Sequence, residues 1–254
     1  MKYSLHAFAE HGGLIHPNKS GWGIAYHEGK DALLFKEPEP ASDSPLIRFI
    51  ESQPLTSTCI LAHVRYATAG APSFANTHPF IRELGGQRHV FAHNGGLEGI
   101  WDKIKLQSDI YTPVGDTDSE YAFCVLLERI APLWRGSKGP PPLQDRLGIF
   151  ADTAAELARL GAANFLYSDG EVLFAHGHRR CWDEGGGRFS EPRPPGLSLS
   201  NRRDLLVKGL HVEAPHSDTD AVYIASVPLT EEGWTPLPEG TVLALRRGRE
   251  VART

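Results

Sequence analysis

Cysteine is scarce in this sequence: only three occur in 254 residues, Cys59, Cys124 and Cys181. An odd number in unrelated contexts, with no CxxC spacing, excludes a disulfide framework and argues against a structural metal. No apolar run approaches the roughly 20 residues that cross a bilayer. The opening MKYSLHAFAEHGG lacks the stretch of about seven or more apolar residues that a secretion signal needs. Neither charge dominates: 26 Lys and Arg against 31 Asp and Glu leave a net −5 at pH 7, which speaks against a basic nucleic-acid surface. Twelve histidines are present, yet no HExxH or paired Cys/His spacing marks a metal site. These absences point to a cytoplasmic chain with no cofactor, no membrane segment and no nucleic-acid partner.

What is present is core: 41% of residues are hydrophobic, and the length suits one large domain. Strands are expected at 21–29, 57–67, 88–95, 221–229 and 240–251, where short apolar runs end in Gly, Pro or polar residues. Residues 164–177 read as a hairpin turning at Ser168-Asp169-Gly170. Apolar positions 122, 123, 125, 126 and 130 predict a helix over 118–134, with Asp118 at the N-cap position. Further helices are expected at 143–160 and 44–51. The Gly- and Pro-rich stretch 183–196 reads as an exposed excursion. Strands, then helices, then strands indicate an α+β single domain with antiparallel sheets.

Polar residues at strand ends are the candidates for chemistry. Arg65 closes the apolar run 57–64, and its guanidinium fork suits a carboxylate, although a solvent-facing arginine is the commoner reading. His93-Asn94-Gly95-Gly96 follows another run. Asn-Gly is usually a turn, but an Asn amide beside a glycine N–H also makes two neutral donors for an oxyanion. Asp116-Thr117-Asp118-Ser119-Glu120 is a sufficient acidic helix start, or a partner for an ammonium group. Asn76-Thr77-His78-Pro79 alone is a loop.

Taken in order, Gly21-Trp22-Gly23, His63-x-Arg65-Tyr66-Ala67-Thr68-x-Gly70, Asn76-Thr77-His78-Pro79, His93-Asn94-Gly95 and Thr117-Asp118-Ser119-Glu120 resemble class II glutamine amidotransferases. The likeness is to their stand-alone members, of the N-terminal-nucleophile hydrolase fold. That resemblance implies a four-layer αββα sandwich, two antiparallel sheets between helices. It implies that Arg65 binds the α-carboxylate of a glutamine or γ-glutamyl substrate and Asp118 its α-ammonium. Asn94 and Gly95 would form the oxyanion hole, with Thr68 and His78 supporting the pocket. A separate acceptor or synthase protein would be the partner that receives ammonia.

The sequence departs from the family at the nucleophile, which there is a cysteine at the mature amino terminus. This chain opens Met1-Lys2-Tyr3-Ser4. Cys59 and Cys124 read as core thiols, and Cys181, in a basic setting, matches no family motif. The resemblance implies a strand and loop of about 15–20 residues ahead of Ser4, carrying Met-Cys, so that residues 1–254 are one domain lacking its first strand. The alternative is an inactive member that binds an amino-acid-like ligand or regulates a partner.

Overall fold

A computed structural model describes residues 6–12, 18–185, 188–201, 221–228 and 233–254. The strands are β1 Trp22–Glu28, β2 Asp31–Glu37, β3 Ile60–Val64, β4 Phe80–Leu84, β5 Gln87–Leu97, β6 Gly161–Ser168, β7 Leu173–His176, β8 Ser198–Ser200, β9 Tyr223–Ala225, β10 Thr235–Pro236, β11 Val242–Arg246 and β12 Arg249–Arg253. The helices are α1 His6–His11, α2 Pro45–Ser52, α3 Ile100–Lys103, α4 Asp118–Trp134 and α5 Leu143–Leu157.

A six-stranded sheet, β12-β11-β7-β6-β5-β4, is antiparallel throughout. Side chains alternate across it. Phe91, Phe165, Tyr167, Phe174 and Val242 point to one face, where α4 and α5 cover them. Phe91 and Phe123 of α4 stack with centroids 5.2 Å apart. On the other face, Val90 meets Ala25 and Leu61 of the three-stranded sheet β2-β1-β3. The outer side of that sheet, through Trp22, Ile24 and Tyr26, is closed by α1 and α2. A second small sheet, β10-β8-β9, packs on the same face through Leu197, Leu237 and Leu243. The layer order is the expected αββα.

Several expectations change in detail. The run at 240–251 is a hairpin, not one strand, because Arg247 and Gly248 both turn at positive φ. Strands β2 (DALLFKE) and β4 (FIREL) carry central or flanking charges that hide their periodicity. Thr117, not Asp118, caps α4, its Oγ1 accepting from Glu120 N at 3.2 Å. Residue 229 of the expected strand 221–229 lies outside the described residues.

The Asp-Gly hairpin turn is fastened to α5. Arg146, 1% exposed, donates to Asp169 (2.5 Å) and to Glu171 (2.7 Å). Burial works against the Arg146 charge, but Asp169 and Glu171 outweigh it and raise its pKa. Removing one partner strands a buried carboxylate. Arg146→Ala is therefore expected to cost about 3–5 kcal/mol in chemical denaturation, against under about 1 for an exposed ion pair.

Candidate functional site

Near the end of strand β5, Asn94, Gly95 and Gly96 are exposed, and the last residue, Leu97, is buried again. His93 pins this end from below. Its ring contacts Ser119 Oγ and Ala162 O, both at 2.9 Å. Gly95 has φ +150°, and a Cβ there would lie 1.9 Å from Ala162 O, so only glycine fits. The Asn94 side chain has no hydrogen-bond partner among the described residues. Asn94 O accepts from Asn164 Nδ2 (2.9 Å), a buried neighbour on β6. The arrangement presents the Asn94 amide on an exposed stretch of a paired strand.

Arg65 is 3% exposed, yet among the described residues its guanidinium meets no carboxylate. It donates to Ser20 O (3.3 Å), Ala69 O (2.5 Å) and Gly70 O (2.9 Å). Five N–H donors less three leaves two for a ligand. Burial lowers its pKa, and the Asp118 carboxylate opposes that shift. Because Thr117 caps the helix, the Asp118 carboxylate is released to reach back to β5. Its Oδ2 accepts from Leu97 N at 2.7 Å, and Oδ1 accepts from Ser119 N at 2.9 Å. Arg65 and Asp118 are thus a buried cation and a buried anion that interact electrostatically without a bond between them among the described residues.

The other expected residues divide. His78 is buried, stacked 4.2 Å from His63, and neither ring nitrogen has a partner among the described residues. Thr68 is exposed, and among the described residues nothing ties it to Arg65 or Asn94. Cys59 lies near Ser168 (Sγ to Oγ 3.6 Å), and burial pushes its thiol up to about 11. Ser168 pairs with Val90, four residues before Asn94, or about 13 Å along the strand. Cys124 is buried on α4 and raised to about 12, and Cys181 is exposed. Cys59 and Cys124 are therefore neutral thiols near pH 7. Asn164 escaped the sequence reading, since its role depends on partners 70 residues away.

Burial also holds His63, His89 and His176 down to about 4. The unfolded chain takes up protons near pH 6.5 that the folded protein refuses, so stability is full above about pH 6.5 and falls as pH drops towards 4. The melting temperature is expected to fall between pH 6.5 and 5, above the range where ordinary carboxylates titrate. A flat profile there would contradict neutral buried imidazoles.

A cavity of about 1020 Å³ opens beside this end, lined by His63, His93, Asn94 and Asn164. Among the described residues, β3 pairs only with β1, and β9 only with β8. The bonds His27 N to Cys59 O (3.0 Å) and Arg65 N to Gly21 O (2.8 Å) set the ladder phase. That phase turns the backbone groups of Ile60, Ala62 and Val64 away from β1. These residues and Tyr223–Ala225 of β9 both line the cavity, so among the described residues it is a groove running between β3 and β9.

The whole chain, residues 1–254, matches the profile of the class-II glutamine amidotransferases. It is 38% identical over 174 residues to an Escherichia coli protein named "Putative glutamine amidotransferase YafJ", covering 68% of this chain and 66% of that one. It is 33% identical over 255 residues to an uncharacterized Methanocaldococcus jannaschii protein, MJ1515, covering 99% and 67%. The chain therefore spans about two thirds of the length of these relatives. A 2.0 Å crystal structure titled as a predicted glutamine amidotransferase from Pseudomonas aeruginosa superposes with TM-score 0.65 at 30% identity, over 96% of this chain and 91% of that one.

Proposed function

The chain belongs to the class II glutamine amidotransferase family, and on that premise we propose that it hydrolyses the side-chain amide of glutamine or of a small γ-glutamyl compound. The observation that carries this reading is the β5 end. The Asn94 side-chain amide is without a partner there among the described residues, and Arg65 and Asp118 supply a buried cation and a buried anion. A zwitterionic glutamyl head needs that charge pair, with its carboxylate on Arg65 and its ammonium on Asp118. The side-chain carbonyl then meets donors where its oxyanion develops.

The nucleophile in this reading is a cysteine on chain ahead of Met1, carried by a strand seated in the groove between β3 and β9. The outward backbone groups of Ile60, Ala62 and Val64 on β3 favour such an occupant. So does the volume, at the upper end of ordinary ligand pockets and more than a glutamine requires. The thiolate attacks the amide carbon, and the carbonyl oxygen takes the charge against Asn94 and Gly95. The amine departs with a proton, and water then cleaves the thioester to release the glutamyl acid. Ammonia or amine passes to water or to a separate acceptor protein. Among the described residues no helix is long and apolar enough to cross a membrane.

One observation favours a second reading, an inactive binder: Cys59, the cavity's own cysteine, is a neutral thiol far from Asn94. Thermal melting with millimolar glutamate and glutamine, followed by an ammonia assay on protein from its native source, separates the two. Stabilisation with ammonia release supports hydrolysis, and stabilisation without it supports the binder. No stabilisation contradicts both.

A further inference from the structure

Between β7 and β8 the chain leaves the sheet as a strap, described over residues 178–185 and 188–196, whose two ends are fastened to Asn164. His178 N donates to Asn164 Oδ1 at 2.8 Å, and Asn164 Nδ2 donates to Arg179 O at 2.6 Å. Gly196 packs so closely that a Cβ there would lie 1.7 Å from Asn164 Oδ1. The same amide nitrogen donates to Asn94 O, so the strap root is one side chain away from the oxyanion pair. Further out, Phe189 rests on Tyr66 with centroids 6.1 Å apart. Tyr66 directly follows Arg65. The strap thus arches from the strand that anchors Asn94 to the segment that carries the carboxylate-binding arginine.

At its root, Arg180 and Arg193 exchange backbone hydrogen bonds of 3.1 and 3.0 Å. Residues opposed in this way project to the same face. Both guanidinium groups lie by the Trp182 ring, 3.7 and 5.1 Å from its centroid. Neighbouring Arg179 is neutralised by Glu239 at 2.5 Å. Among the described residues, no carboxylate pairs with Arg180 or Arg193. Directly opposed like charges cost stability. The cost is visible at Arg180, where burial and then Arg193 lower the pKa. Its Nε is also buried with no acceptor. Two arginines positioned by stacking, uncompensated and with an unused donor, suit a planar anion.

We propose that Arg180, Trp182 and Arg193 form a subsite for a carboxylate on the amine side of the γ-glutamyl bond. The preferred substrate is then a γ-glutamyl amino acid or short γ-glutamyl peptide rather than glutamine. The reach is short. Asn94 O and Arg179 O share one donor, and two extended residues span about 7 Å. This inference rests on the function proposed above.

Calorimetry with three probes tests it: glutamate, γ-glutamylglycine and γ-glutamylmethylamide. The last two share a head and differ in the distal carboxylate. The wild-type protein is expected to bind γ-glutamylglycine at least about tenfold tighter than the methylamide at low salt, with the gap narrowing as salt rises. Arg180→Ala and Arg193→Ala are each expected to reduce that preference to under about twofold. Arg193 is exposed, so its variant decides the matter if Arg180→Ala misfolds and loses the methylamide as well. Equal binding of the two compounds by wild type that still binds glutamate overturns the subsite alone. A preference that survives both variants does the same. Failure to bind glutamate at all overturns the head site and the subsite together.

Discussion

Replacing Arg65 with alanine is expected to weaken glutamate binding by about 100-fold or more and to lower stability by about 3 kcal/mol. Two effects combine in this variant. Three backbone carbonyls, those of Ser20, Ala69 and Gly70, lose a charged donor inside a nearly closed site. Hydrogen bonds from charged groups contribute about 1.5–3 kcal/mol each, with partial recovery by entering water. Arg65→Lys separates structure from binding. An ammonium has three donors, enough for the three carbonyls and none for a ligand. That variant should therefore recover part of the stability while glutamate binding stays lost. Denaturant melts read the first effect and calorimetry the second. Wild-type affinity in Arg65→Lys would contradict the assignment of the two remaining donors to the substrate.

The second large effect concerns Asn94 and Gly95, the proposed oxyanion pair. Asn94→Ala is expected to lower kcat by about 10²–10³-fold in the hydrolysing protein, with KM little changed. Stability should move by less than about 0.5 kcal/mol, because the Asn94 side chain holds nothing in the described structure. Gly95→Ala behaves differently. Its φ of +150° and the Ala162 carbonyl 1.9 Å from the added Cβ force β5 and β6 apart. A folding defect is expected alongside lost activity. An Asn94→Ala enzyme that turned over normally would remove the oxyanion role.

Arg65 and His93-Asn94-Gly95 stood out because each lies where an apolar run stops, a feature written in consecutive residues, although β5 itself continues to Leu97. The αββα order followed from the family motifs, and the helices at 118–134 and 143–160 followed from their apolar periodicity. Other features depend on what the chain meets after folding. Asn164 is an unremarkable polar residue in a strand until it bridges Asn94, His178 and Arg179. Asp118 reads as a helix cap until Thr117 takes that work and frees the carboxylate for Leu97 N. The stretch 183–196 has no periodicity, yet its cross-strand bond pair at Arg180 and Arg193 makes it a ribbon. The groove belongs to two strands some 160 residues apart, and no local pattern announces it.

The central claim is that this pocket is completed by a cysteine on a strand lying between β3 and β9. Intact mass and amino-terminal sequencing of the protein from its own organism test it most directly. The account predicts a chain longer by about 15–20 residues, the length of a strand and a loop, opening with cysteine. A native protein that begins Met1-Lys2 would leave Asn94 and Gly95 with no nucleophile to serve, and would contradict hydrolysis by this site.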